Sequence, residues 1–328
     1  MVGVNAWASA AAGPPPPLTL RGVLNSWTAN PPVLVVAVGM AAAYVVGVSV
    51  LRRRGQQWPS ARSWCFLVGG VGTVAMVGLS FVGVYADTLF WVRALQNLLL
   101  VMFAPMFLAL GAPLTLVREL LPAGARMRAG AVLHSRAAKV LTFPPVVTLV
   151  LVVPPLVVYF SPLYEQTLRS HLASGLVGVT LVAAGFLYFW SRLRVDPVPR
   201  PGSYLVTMWI TVVEVLVDAV LGLKLWLGPV IAAGYYVGLG RSWGPDPGLD
   251  QIIGAGIFWI GGDIIGLPFL ATVVARMTKE DEHRATEIDA DLDAAEVVLP
   301  QADTGAPVAP RLWWEDVPEL AERIRRQR

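Results

Sequence analysis

Seven long apolar stretches recur along the chain, at 32–51, 64–85, 89–111, 143–161, 172–191, 204–225 and 252–275. Each approaches or exceeds the roughly 20 residues that an α-helix needs to cross a hydrocarbon core of about 30 Å. They are too long for strands and too continuously apolar for surface helices, so they predict seven transmembrane helices. Two of them carry polar residues. The third opens with Arg93, Gln96 and Asn97, and the sixth holds Glu214 and Asp218. A shorter glycine-rich piece, 226–240, predicts an interfacial or re-entrant segment.

The charges between the stretches alternate. Arg52, Arg53, Arg54 and Arg62 follow the first stretch. Arg118, Arg126, Arg128, Arg136 and Lys139 follow the third, and Arg192, Arg194 and Arg200 follow the fifth. The intervening loops offer only Arg169 and Arg241. Twelve basic residues against two give the orientation, because Lys and Arg are retained on the cytoplasmic side. The expected fold is therefore all-α and polytopic, with the N-terminus outside and the C-terminus cytoplasmic. Residues 1–31 form an extracytoplasmic segment, 32–276 the seven-helix domain, and 277–328 a polar cytoplasmic tail. That tail has an acidic helical stretch (280–296), a proline-containing linker (300–310) and a short basic terminal helix after Trp313 and Trp314. Met1–Pro17 lacks a basic start and does not read as a cleaved signal peptide.

Composition agrees. Of 328 residues, 55% are hydrophobic and 14% charged, against about 25% charged in a globular domain. This excludes a soluble enzyme and a nucleic-acid-binding domain. The single cysteine, Cys65, excludes an intrachain disulfide.

Ionisable groups within spans are costly to bury and are the natural candidates for function. Arg93, Asn97, His171, Glu214, Asp218 and Asp263 form a candidate intramembrane polar cluster. Arg93 and Asn97 share a helix face, as do Glu214 and Asp218. Such a cluster serves either as an ion-paired core that fixes helix register or as the substrate site of a transporter or permease. No phosphate loop, HExxH or Cys/His metal spacing occurs.

Further motifs carry a resemblance. Arg54-Gly55-Gln56-Gln57-Trp58-Pro59, the run Ala104-Pro105-Met106-Phe107 to Leu116, Tyr159-Phe160-Ser161-Pro162-Leu163, Gly185-Phe186-Leu187-Tyr188-Phe189-Trp190, Val195-Asp196-Pro197-Val198-Pro199-Arg200, Gly256-Ile257-Phe258-Trp259-Ile260-Gly261 and Trp313-Trp314-Glu315 stand in this order. Together they resemble the CtaG family of cytochrome c oxidase assembly factors over about residues 18–278 plus the tail motif. The resemblance implies a non-enzymatic seven-helix protein of the bacterial plasma membrane. It would act in haem–copper oxidase biogenesis, with membrane lipid, oxidase subunits or other assembly factors as partners and no nucleic acid. It also implies copper held by histidines. Here those positions read Arg93, Asn97 and Asp218, with Ser174 or Gly178 in the fifth span, and a guanidinium cannot ligate a cation. The expectation is a divergent member without that copper site, in which an Arg93–Asp218 ion pair replaces a metal bridge between the third and sixth helices.

Overall fold

The computed structural model describes residues 14–133, 135–193 and 204–298. Its helices are α1 (Leu20–Asn25), α2 (Pro31–Arg53), α3 (Ser60–Leu79), α4 (Phe81–Tyr85), α5 (Phe90–Leu110), α6 (Pro113–Leu120), α7 (Ala123–Leu133), α8 (Arg136–Leu141), α9 (Pro144–Phe160), α10 (Leu163–Arg169), α11 (His171–Leu193), α12 (Tyr204–Leu227), α13 (Ala233–Gly238) and α14 (Pro247–Val298). No strand occurs among the described residues. Residue contacts divide the chain into Met1–Ala275 and Arg276–Arg328. The described part of the second unit, 276–298, is helical, where the acidic run predicted a polar helix. The motifs at 195–200 and 313–315 lie outside the described residues.

Helices stand at all seven apolar stretches. By length and apolarity α2, α3, α5 and α11 are each able to cross a membrane. A fifth candidate is the pair α9–α10, bent by 76° at Ser161–Pro162. The sixth and seventh stretches form α12 and the first half of α14. Two connections read as loops are helical. The basic segment after α5 folds into α6, α7 and α8, and the 162–171 connection holds α10.

Local chemistry sets several boundaries. Asn30 caps α2 by accepting from the Val33 amide, and prolines fill its first turn, where a missing N–H costs nothing. Gly55, at φ +78°, ends that helix in the left-handed region that suits glycine. Within α5 the turn Leu99–Phe103 widens to a π-helix just before Pro105. Proline has no N–H for the carbonyl four residues back, Val101, and its ring crowds that carbonyl. Widening relieves the crowding.

The freed side of this bulge faces α11. A Cβ at Gly185 would land on the Val101 carbonyl oxygen and the Pro105 ring, so only glycine permits this approach. Outward faces stay apolar and exposed, as at Val35, Val46 and Val179. With no competing solvent for their backbone groups, such faces suit lipid contact.

Candidate functional site

Two buried polar networks occupy opposite ends of the bundle. The first centres on Arg93, 4% exposed, one turn into α5. Its guanidinium donates to Asp87 Oδ1, the Thr167 carbonyl and Ser174 Oγ, each at 2.9 Å, and to Gln96 Oε1 at 2.8 Å. One cation thus ties the chain ahead of α5 to α10 and α11. Asn97, one turn further along, donates its amide to the Tyr159 hydroxyl at 3.0 Å. Tyr159 packs with Phe90, Tyr164 and Phe258, and Tyr164 shares a 2.8 Å hydrogen bond with Tyr236.

Asp250 and Gln251, at the start of α14, complete this end. Leu89 offers α5 no side-chain cap. Asp250 supplies one from 160 residues away, accepting from the Phe90 amide at 3.1 Å and the Trp91 amide at 3.0 Å. Its charge also meets the positive end of the α5 dipole. Arg241 donates to Asp250 at 3.3 Å and to the Pro245 carbonyl at 2.6 Å. Burial pushes the Asp250 carboxyl above its ordinary value, and the Trp91 and Phe90 amides and Arg241 pull it partly back. Gln251 caps the other way. Its amide donates to the carbonyls of Leu225 and Pro229 at 2.8 and 3.2 Å, and its oxygen accepts from the Ile231 amide at 2.7 Å. Adjacent side chains therefore satisfy the N-terminus of α5 and the C-terminus of α12. The 226–240 segment, with Tyr236 buried in the aromatic cluster, packs into this arrangement.

The second network lies toward the arginine-rich end. Glu214 accepts from Thr148 Oγ1 at 2.6 Å, from the Tyr188 hydroxyl at 2.7 Å and from Arg192 at 3.2 Å. Arg192 also lies 5.2 Å from the centre of the Tyr188 ring. It is only 8% exposed on its side chain. It is therefore not one of the loop charges, because α11 runs two residues past the apolar stretch and draws it into the core. Arg194 and Arg200 lie outside the described residues.

The expected single cluster thus separates. Arg93 pairs with Asp87, not with Asp218, so the ion pair expected between the third and sixth helices does not form. Asp218 lines a cavity of about 40 Å³ with Leu98, Met102, Leu151, Pro155 and Phe258. It lies close enough to Glu214 and Asp263 for their charges to act on it. Asp263 is half-buried, and His171 is exposed at the first position of α11. Asp87, Tyr159, Tyr164, Tyr236, Arg241, Asp250 and Gln251 were not among the expected site residues. Asp87 alone had a local signal, as the carboxylate nearest Arg93 in sequence.

Of the positions implied for copper, Asp218 alone carries a carboxylate able to ligate a metal ion, and its neighbours at those positions do not complete a site. The Arg93 guanidinium is cationic, the Asn97 nitrogen is spent on Tyr159, and the Ser174 hydroxyl accepts from Arg93. The Arg93 hydrogen bonds join the chain ahead of α5 to α10 and α11, while Asp218 lies apart from Arg93 beside the small cavity.

Comparison with known proteins bears on this bundle directly. A family model described as cytochrome c oxidase caa3 assembly factor (Caa3_CtaG) matches residues 42–280. Uncharacterized proteins of Mycobacterium bovis and Mycobacterium tuberculosis are each 30% identical over 291 residues, covering 85% of this chain and 43% of their own. One of Mycobacterium leprae is 28% identical over 306 residues, covering 87% of this chain and 46% of its own. The chain thus spans less than half the length of these relatives. No solved structure matches.

Proposed function

Because this chain belongs to the Caa3_CtaG family of cytochrome c oxidase caa3 assembly factors, we propose that it is a multi-pass protein of a bacterial plasma membrane that serves the building of a haem–copper oxidase. It does so by binding oxidase subunits or other assembly factors rather than by catalysing a reaction. The carrying observation is the extent of the family match. Residues 42–280 run from within α2 into α14 and so include both polar networks and the aromatic cluster that joins the first of them. In this reading seven helices cross the membrane, with the arginine-rich end cytoplasmic.

The role does not pass through copper at Arg93, Asn97 and Asp218. The Arg93 network holds α5, α10 and α11 in register and so presents a fixed surface to a partner. Deletion of the gene, followed by reduced-minus-oxidised difference spectra of membranes, tests the proposal. Loss of the oxidase haem signal, restored by the wild-type gene, is the expected result. An unchanged spectrum and unchanged oxidase activity overturn it.

A further inference from the structure

The motif Arg54-Gly55-Gln56-Gln57-Trp58-Pro59 takes no part in either polar network, yet it is firmly built. Gly55 turns the chain back at the end of α2, and the Gln56 amide returns to the Leu51 carbonyl at 3.1 Å. Arg54 reaches across to the carbonyls of Glu119 and Leu120 at 3.4 and 3.3 Å, fastening the loop to the end of α6. Trp58 is buried, donating to the Tyr44 hydroxyl at 3.1 Å, and Tyr44 donates on to the Gly111 carbonyl at 2.8 Å. Between these fixed walls opens a pocket of about 360 Å³, lined by Leu51, Gln56, Gln57, Trp58, Pro59, Arg62 and Glu119.

Its polar groups are of both signs and under-used. Arg62 lies 5.3 Å from the centre of the Trp58 ring and makes no ion pair among the described residues. Glu119 has only a long contact with Arg126, at 4.0 Å. Gln56 and Gln57 are exposed, each with an amide donor and acceptor at the pocket. A simple anion would meet the Glu119 charge here, and a simple cation would meet Arg62. A group carrying a phosphodiester and a primary ammonium a few bonds apart satisfies both.

The position selects the source of such a group. Trp64, 68% exposed, and Val68 follow Arg62 within two turns of α3, and exposed Val45 and Val46 precede Leu51 on α2. The lipid-facing apolar surface therefore begins about one turn from the pocket mouth, at headgroup depth, where tryptophans gather. Basic clefts between helices at this depth take lipid headgroups.

We propose that this pocket binds the headgroup of an ethanolamine phospholipid, with Arg62 on the phosphate, Glu119 on the ammonium, and Gln56 and Gln57 completing the hydrogen bonds. Phosphocholine fits poorly, because its quaternary ammonium has no N–H for Glu119. Phosphatidylglycerol offers Glu119 only neutral glycerol hydroxyls and no cation, so that carboxylate stays without a counter-charge.

The test uses the full chain, delipidated in detergent and reloaded from vesicles of phosphatidylethanolamine, phosphatidylcholine or phosphatidylglycerol. Retained lipid is read by native mass spectrometry, with elevated salt in the loading step to screen non-specific attraction. Wild-type protein is expected to retain the ethanolamine lipid about tenfold over the other two, the equivalent of one charge-assisted contact. Glu119→Gln, a half-exposed site outside the packed walls, is expected to abolish that preference and raise phosphatidylglycerol retention. Arg62→Gln is expected to lose all three lipids. Equal retention of the three by the wild type, or an unchanged preference in Glu119→Gln, overturns the proposal. Displacement of the bound lipid by millimolar soluble phosphoethanolamine would assign the pocket to a soluble ligand and overturn the lipid reading. The outcome is independent of the oxidase spectra that test the assembly role.

Discussion

Asp250→Ala removes more from this structure than its place at a helix start would suggest. The side chain is 1% exposed and serves three donors: the amides of Phe90 and Trp91, and Arg241. Losing a helix cap costs about 1 kcal/mol. Leaving Arg241, 6% exposed on its side chain, without its anion costs about 3–5 kcal/mol. The Arg241–Pro245 hydrogen bond survives and places the loss toward the lower bound, about 4 kcal/mol in all. Asp250→Asn keeps an acceptor for one amide but not the charge, and should cost about 2 kcal/mol. The assay is thermal unfolding of the purified chain in detergent, read by size-exclusion of the folded species. Asp250→Ala should lower the midpoint by about 8 °C or more and Asp250→Asn by about half of that. The double variant Asp250→Ala/Arg241→Leu should recover part of the loss, because the unpaired cation is gone. A midpoint for Asp250→Ala within about 2 °C of wild type refutes the reasoning. It would mean that water or lipid groups replace the carboxylate at no cost.

Four further outcomes follow from the same geometry. Losses from Arg93→Leu and Asp218→Leu should add to within about 0.5 kcal/mol, whereas Arg93→Leu and Asp87→Ala should couple by more than that, as a double-mutant cycle in detergent will measure. Gly185→Ala drives a Cβ into the Val101 carbonyl and should cost about 1–3 kcal/mol or more. Gly175→Ala, on the same helix with open space around it, should be neutral or stabilising, and comparison of folded yields separates the two. Glu214→Leu should destabilise more than Arg192→Leu/Glu214→Leu together, because the single change leaves a buried guanidinium unpaired; melting of the three proteins checks this. In a Cys65→Ser background, Ser242→Cys should react with an impermeant thiol reagent in intact cells and Arg128→Cys should not, and the reverse pattern would invert the proposed orientation.

Much of the molecule was written in its local pattern. The lengths of the apolar runs give the helices, because a backbone in hydrocarbon must satisfy its own hydrogen bonds. The alternating arginines predict an orientation, because Lys and Arg near the ends of a span are retained on the cytoplasmic side. The partners of the buried charges were not legible. Arg93 chose Asp87 and Ser174 over Asp218, and Arg192 left the loop for Glu214, because partner choice depends on helix rotation and on how closely neighbouring helices approach. Those quantities depend on how separate parts of the chain meet: the Gly185 approach to Val101, beside the π-turn ahead of Pro105, and the bend between α9 and α10 that brings Thr167 to Arg93. The capping of α5 by Asp250 is the extreme case. Periodicity is a property of neighbours along the chain, whereas this hydrogen bond joins residues 160 apart and exists only once the helices between them have packed.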